Sequence, residues 1–138
     1  MADAPTPLIL LLDDDPDFVE MNRRVLEGAG YRVVGCHDPA DALAAMGRER
    51  PALVISDLMM KAFDSGFAFA RQVKQDPRFA GVPVILLTSV SSKMGLDFHP
   101  AAPADLAAMH ADAYLDKPVP PPVLLEKVRA LLIAKKAK

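Results

Sequence analysis

Apolar residues in this chain fall into short continuous runs and longer helical repeats, and the two kinds of segment alternate. The short runs have the length and the leucine, isoleucine and valine content of strands buried on both faces. The longer segments carry apolar residues three or four positions apart, which is the spacing of an amphipathic helix. The predicted strands are residues 8–12, 31–36, 53–56, 84–87 and 113–115. This alternation predicts a parallel sheet covered by helices.

Two of the predicted helices begin with an aspartate followed by a proline. Asp15-Pro16 and Asp38-Pro39 each place an N-cap side chain before a proline at the first helical position. The second of these helices should end before Pro51. The apolar face of the first helix is predicted from Phe18, Met21, Val25 and Leu26. Further helices are predicted at 67–75, at about 103–110 and through Leu124, Val128 and Leu132.

Right-handed crossovers between parallel strands make a doubly wound, five-stranded α/β sheet the simplest arrangement of these elements. In such sheets, ligands bind beyond the carboxyl ends of the strands. We expect one domain at residues 8–134, a flexible tail at 1–7 and a basic tail at 135–138.

Composition narrows the class of protein further. The 138 residues are 51% hydrophobic and 25% charged, as in a globular domain, and nothing in the net charge of −2 suggests a surface for nucleic acid. A single cysteine, Cys36, excludes an internal disulfide and a cysteine-based zinc site. The longest aliphatic run, residues 8–12, is far shorter than the ~20 residues that cross a bilayer. We therefore expect a cytoplasmic protein that does not enter the membrane.

Chemically active side chains follow four of the five predicted strands. Asp13 and Asp14 follow the first, Asp57 the third, Thr88 the fourth and Lys117 the fifth. If the first and third strands are neighbours, the three carboxylates crowd together, and two unit charges at 4 Å repel by about 4 kcal/mol at an effective dielectric of 20. Such a cluster must hold protons or bind a cation.

The residue types at these strand ends indicate which ligands would bind. Oxygen ligands in an open crevice favour Mg²⁺, which keeps several waters and pairs with phosphate oxygens. The hydroxyl of Thr88 and the ammonium of Lys117 would complete a cradle for an anion such as a phosphoryl group. One of the carboxylates could then act as a nucleophile and form an aspartyl phosphate.

Four stretches, in this order, resemble the receiver domain of two-component response regulators, including the chemotaxis regulators. They are LILLLDDDPDF, ALVISDLMM, VPVILLTS and AYLDKPV, and the resemblance covers about residues 8–134. It implies a flavodoxin-like fold with strand order 2-1-3-4-5.

The resemblance also implies a Mg²⁺ site built around a phosphoryl acceptor. Asp57 would accept the phosphoryl group and also contact the ion. Asp14 would bind Mg²⁺ directly, Asp13 largely through water, and Met59 through its backbone carbonyl.

Three further residues match the family's switch. Thr88 is similar to the hydroxyl residue that turns toward the phosphoryl group, and Lys117 to the lysine that pairs with the phosphoryl oxygens. Tyr114 matches the aromatic residue whose side chain turns toward the protein interior after Thr88 and Lys117 have moved to the phosphoryl group. The stretch from Thr88 to Lys117 is several residues longer than is usual in the family, so the surface that signals should differ.

We therefore expect a stand-alone receiver, not an enzyme in the ordinary sense, that promotes its own phosphorylation and loses the group slowly. The phosphoryl donor would be a sensor histidine kinase or a phosphotransfer protein. Output would pass to an unknown protein or along a phosphorelay, without direct nucleic-acid or membrane contact, and the sequence leaves homodimerisation open.

Two other functions remain open. One is a phosphorylation-independent interaction module with a receiver fold, against which the complete set of five site residues argues. The other is a Mg²⁺-dependent phosphohydrolase. Those enzymes require an Asp-x-Asp motif at the nucleophile, and in this chain Met59 occupies the position of the second aspartate.

Overall fold

The chain forms a five-stranded parallel sheet, seen in a computed structural model that describes residues 6–57, 65–88, 112–116 and 119–136. The strand order is β2-β1-β3-β4-β5, so the predicted doubly wound, flavodoxin-like α/β fold is confirmed. The predicted strands agree with the observed ones to within one residue at each end. They are β1 (Leu8–Leu12), β2 (Arg32–Cys36), β3 (Leu53–Asp57), β4 (Val84–Thr88) and β5 (Ala113–Asp116).

Four helices are described, and two of them have the predicted caps. They are α1 (Pro16–Gly28), α2 (Pro39–Arg48), α3 (Ser65–Gln75) and α4 (Pro121–Lys136). The Asp15 side chain accepts hydrogen bonds from two first-turn amides of α1, and Asp38 accepts one in α2. The helix predicted at 103–110 lies outside the described residues. None of the described helices is both long and apolar enough to cross a membrane.

Side chains of alternate residues on each strand build two separate core layers. Leu10 and Leu12 face the layer that contains Met46 of α2 and Phe69 of α3. Ile9 and Leu11 face the opposite layer, which includes Leu26 of α1 and Val128 of α4. Every residue of β1 is buried, which explains why its sequence reads as an uninterrupted apolar run.

The buried face of α1 differs from the predicted one. Met21 is 58% exposed, whereas Val19 and Asn22 are buried. The reason lies in β2, where a Cβ on Gly35 would lie 2.6 Å from Val19 Cγ1. The missing side chain at Gly35 lets Val19 pack closely on the sheet. Asn22 satisfies its buried amide by donating to the Phe18 carbonyl at 2.9 Å.

Candidate functional site at the carboxyl edge of the sheet

Three carboxylates meet where β1 and β3 end. Leu12 pairs with Ser56 across these strands, so Asp13 and Asp57 follow at the same level of the sheet. Asp13 and Asp57 are 1% and 6% exposed, and Asp14 is exposed. One carboxylate oxygen of each residue lies within 4.8 Å of the other two. The predicted crowding of the three acids is therefore observed.

Asp13 is held in place from both sides. Its backbone N–H donates to the Cys36 carbonyl at 3.1 Å, which extends the pairing of β1 with β2 by one residue. Its Oδ1 accepts a hydrogen bond from the Asp15 N–H at 2.9 Å. Asp15 in turn caps α1, as predicted. The loop between β1 and α1 therefore fixes the orientation of the Asp13 carboxylate before any ligand binds.

Two polar neighbours of the carboxylates were not predicted. His37 Nδ1 lies 3.2 Å from the Asp13 carbonyl oxygen, and the buried Ser56 hydroxyl donates to the Asp57 carbonyl at 3.0 Å. The signal for His37 was its position directly after β2. Because Leu12 pairs with Cys36, the residue after each of them must lie at the site edge.

Cys36 is the last residue of β2 and also lies at this edge, but its thiol is not a reactive group. The side chain is buried, as is common for a free cysteine, which behaves as a small hydrophobic residue. Burial, reinforced by the negative charge of Asp41, raises the pKa of the Cys36 thiol above its ordinary value of 9.0. The thiol therefore stays protonated near neutral pH, and only the thiolate is nucleophilic.

The donor set fits a small, hard divalent cation. All three side chains offer carboxylate oxygens, which Mg²⁺ and Ca²⁺ prefer over the nitrogen and sulfur ligands typical of zinc. Two oxygens on opposite sides of one Mg²⁺ ion lie about 4.2 Å apart, twice the usual Mg–O distance. Separations of up to about 4.2 Å thus suit two direct ligands, and wider ones, up to 4.8 Å, suit one direct ligand and one that acts through water.

The remaining predicted site residues are described only in part. β4 ends at Thr88, one residue beyond Leu87, which pairs with Asp57. Tyr114 lies in β5 opposite Leu86. The side chains of Thr88 and Tyr114, and all of Met59 and Lys117, lie outside the described part of the chain. Their predicted roles therefore remain predictions.

Comparison with known proteins identifies the family. The model of the response regulator receiver domain matches residues 9–129. The chain belongs to this family. Receiver domains take part in two-component signalling and typically bind Mg²⁺ at an acidic cluster, which is where Asp13, Asp14 and Asp57 converge. They interact with histidine kinases or phosphotransfer proteins.

Similar solved structures include receivers from two settings. The chemotaxis response regulator CheY4 of Vibrio cholerae is 27% identical, with a TM-score of 0.77, and the match covers 91% of this chain and 98% of CheY4. The receiver domain of a signal transduction histidine kinase from Syntrophus aciditrophicus is 30% identical, with a TM-score of 0.75 and coverage of 94% and 92%. The same fold thus occurs in both kinds of protein.

Curated relatives include longer regulators. The transcriptional regulatory protein GltR of Pseudomonas aeruginosa is 34% identical over 128 residues, which are 90% of this chain and 48% of GltR. The DNA-binding response regulator MtrA of Mycolicibacterium smegmatis is 35% identical, and the match covers 90% of this chain and 50% of MtrA. The chain spans about half the length of these relatives. The expected absence of nucleic-acid contact therefore has no support from them.

Proposed function

We propose that this receiver accepts a phosphoryl group on Asp57 from a phosphohistidine of a sensor histidine kinase or phosphotransfer protein. The observation that carries the proposal is the buried Asp57 carboxylate at a strand end, within 4.8 Å of the carboxylate oxygens of Asp13 and Asp14. A cluster of this kind is stabilised by a divalent cation and, through it, by a phosphoryl group.

The transfer conserves atoms and charge in one displacement. A carboxylate oxygen of Asp57 attacks phosphorus, so that a new O–P bond forms as the N–P bond of the phosphohistidine breaks. The departing imidazole keeps the electron pair of that bond and takes up a proton. The product is a mixed anhydride, an aspartyl phosphate, in which three oxygens of the phosphoryl group carry the negative charge.

Four residues of this chain would hold Mg²⁺. Asp14 and Asp57 would bind it directly, Asp13 largely through water, and Met59 through its backbone carbonyl. The existing hydrogen bond from the Asp15 N–H to Asp13 Oδ1 supports an indirect role for Asp13, since one of its oxygens is already engaged. The ion would neutralise charge that develops on the phosphoryl oxygens.

Three residues would respond to the phosphoryl group. The Thr88 hydroxyl and the Lys117 ammonium would bind its oxygens, and Tyr114 would turn inward after them. The position of Thr88 directly after the residue paired with Asp57 supports this role. The group adds roughly −1.5 to −2 charge, which is the driving force for the rearrangement.

The signal would leave through protein contacts. We infer output to another protein or along a phosphorelay, together with slow self-dephosphorylation. The near-complete coverage of CheY4 supports operation as a single domain, whereas the match to half of GltR and of MtrA supports a role beside a further domain. Stand-alone operation and homodimerisation therefore stay predictions.

Mass spectrometry after incubation with acetyl phosphate and Mg²⁺ tests the proposal. The protein should gain one phosphoryl group that hydroxylamine removes, as expected for an acyl phosphate. Asp57→Asn should abolish this gain. The matched control is Asp41→Asn, which removes an exposed carboxylate from the first turn of α2 and should label normally.

The same experiment separates the other functions. Continuous release of inorganic phosphate at many turnovers per minute, without a stable phosphoprotein, would indicate a phosphohydrolase instead. Absence of labelling, with the fold intact and Mg²⁺ bound, would favour the phosphorylation-independent interaction module. A label that persists in Asp57→Asn would reject Asp57 as the acceptor.

A further inference from the structure

A cavity of about 750 Å³ opens at the amino edge of the sheet, opposite the carboxylates. It lies beside Leu8 at the start of β1, whereas Asp13 follows the end of that strand. Five strand residues separate the two by roughly 16 Å. The cavity is therefore distinct from the phosphoacceptor site, and its volume lies in the range of small-molecule pockets.

The floor of the cavity is apolar. Leu8, Pro51 and Val82 are buried and close it toward the core, while Tyr31 and Leu132 are half-buried in its walls. Ile133 of α4 also lines it and is 58% exposed, one of few large apolar side chains so exposed in the described parts of the chain. An apolar ligand would bury this surface and gain hydrophobic stabilisation.

Three arginines and one glutamate form the polar rim. Arg32 is already paired, because its guanidinium donates to both oxygens of Glu49 and to the Thr6 carbonyl. Among the described residues, Arg50 donates only through its Nε, to the Arg78 carbonyl at 3.0 Å. Arg129 lines the cavity from α4.

Two of the rim charges are not neutralised. Within the described ranges, neither Arg50 nor Arg129 forms an ion pair, whereas Arg32 does. The last carbonyl oxygens of α1 carry partial negative charge, but they accept hydrogen bonds from the N–H groups of Ala29, Gly30 and Tyr31. They therefore add little negative charge to the rim. The rim therefore carries an excess of two positive charges above an apolar floor.

We propose that this cavity binds a small amphiphilic anion, with an apolar body on the floor and a carboxylate or phosphate group against Arg50 and Arg129. The two guanidiniums provide charge-assisted hydrogen bonds for the anionic head. The exposed Ile133 and the half-buried Leu132 provide contacts for the apolar body. Binding at this edge of the sheet does not depend on phosphorylation of Asp57.

A titration with sodium octanoate tests the proposal on the full chain, with octan-1-ol and octylammonium as probes of the same length and different charge. Methyl NMR of isoleucine-labelled protein reports the location. Octanoate should bind with a Kd of roughly 0.1–1 mM, as expected for a ligand of this size. The Ile133 methyl signal should shift, while that of Ile85, buried in the sheet, should not.

The variant pair Arg50→Gln with Arg129→Gln removes the two unpaired charges and keeps polar side chains of similar shape. The double variant should weaken octanoate binding by roughly 10-fold. Arg71→Gln is the matched control, since Arg71 is an exposed arginine of α3 outside the cavity; it should change the Kd less than twofold. Octan-1-ol binding should be weaker and equal in all three proteins.

Three results would overturn the proposal. The first is an octanoate Kd in the double variant equal to that in Arg71→Gln. The second is octylammonium binding as tightly as octanoate, because the rim would then not select an anion. The third is octanoate binding only after deletion of residues 1–5, which would make that segment of the chain the occupant of the cavity.

Discussion

The two edges of the sheet use charge in opposite ways. At the carboxyl edge, Asp13, Asp14 and Asp57 bring like charges within 4.8 Å of one another. At the amino edge, opposite charges are paired across elements. Arg32 at the start of β2 binds Glu49 beyond α2 at 2.6 Å, and Lys74 of α3 binds Asp112 before β5 at 2.8 Å.

The two edges therefore differ in their need for a bound cation. Opposite charges in contact satisfy one another, so the ion pairs of the amino edge contribute to folding. Gathered carboxylates repel, so the carboxyl edge gains stability when a cation binds. Substitutions at the carboxyl edge should therefore change Mg²⁺ binding and phosphorylation most, and substitutions in the amino-edge ion pairs should change stability without changing Mg²⁺ binding or phosphorylation.

Removal of Mg²⁺ should give the largest effect. With a chelator present, the rate of labelling by acetyl phosphate should fall by roughly 100-fold or more, because the electrostatic stabilisation of the phosphoryl oxygens is lost. Asp112→Ala, which changes the amino edge, should label at the unmodified rate when Mg²⁺ is present. Equal labelling rates with and without the metal would contradict this division between the edges.

The two acids after β1 should contribute unequally to Mg²⁺ affinity. Asp14→Ala should weaken binding by roughly 10-fold or more, and Asp13→Ala by less, since a ligand that acts through water contributes less than a direct one. Isothermal titration calorimetry with Mg²⁺ measures both. Equal losses in the two variants would show that Asp13 also binds the ion directly.

The same pair of variants should shift the metal-free melting temperature in opposite directions. Asp14→Ala relieves repulsion at an exposed position, which is worth about 1 kcal/mol for charges 4 Å apart in bulk water. Asp13→Ala also relieves repulsion, but it removes the acceptor of the Asp15 N–H and leaves a gap at a buried position. A lower melting temperature for metal-free Asp14→Ala would count against the crowded-carboxylate description.

At the amino edge, Asp112→Ala should destabilise the fold by about 1–2 kcal/mol. Its Oδ2 accepts from Lys74 Nζ and from the Val84 N–H, each at 2.8 Å, so one oxygen connects α3, β4 and β5. Denaturant unfolding measures the free energy. Asp112→Asn keeps an acceptor for the Val84 N–H and should lose less.

A double-mutant cycle with Lys74→Met isolates the ion pair from the backbone contact. The losses of unfolding free energy in the two single variants, added together, should exceed the loss in the double variant. Strict additivity would mean that Lys74 and Asp112 stabilise the protein independently. A change in Mg²⁺ affinity in either variant would break the proposed separation of the two edges.

The carboxyl edge could be predicted because the sequence shows where the buried strands end. The run from Leu8 to Leu12 is buried on both faces, so its last residue identifies the edge, and the acids that follow must lie there. The carboxyl ends of parallel strands share one edge, so neighbours on the sheet follow from topology alone. His37 could have been found by the same reasoning.

The amino edge could not be predicted in this way. Its ion pairs join residues 17 and 38 positions apart, such as Arg32 with Glu49, and no periodicity relates them. The cavity forms between α4 and the starts of the strands, and its size depends on tertiary packing that the sequence pattern does not contain. The exposed Met21 has a similar cause, because the close contact of Gly35 with Val19 is a tertiary feature that a helical apolar pattern does not contain.

The smallest expected effect concerns the pH dependence of the Arg32–Glu49 ion pair. The hydrogen bonds from Arg32 hold the pKa of the Glu49 carboxyl below its ordinary value of 4.5. A carboxyl whose folded-state pKa is depressed stabilises the protein above its unfolded-state pKa, and this contribution is lost as the pH falls through the folded-state value. Glu49→Gln should therefore lower the melting temperature slightly at pH 7, by less than Asp112→Ala.

The difference between Glu49→Gln and the unmodified protein should begin to shrink below pH 4.5, where Glu49 becomes protonated in the unfolded state, and should be lost only below the lower pKa of the folded state. Glu126→Gln, which removes an exposed carboxyl group from α4, is the matched control. High salt should reduce the effect at pH 7, because both partners of the pair are about half exposed and the charges are screened. A difference that grows as the pH falls would mean that Glu49 loses more from its burial than it gains from Arg32. The amino edge would then resemble the carboxyl edge, with a carboxylate whose charge is a cost to the fold.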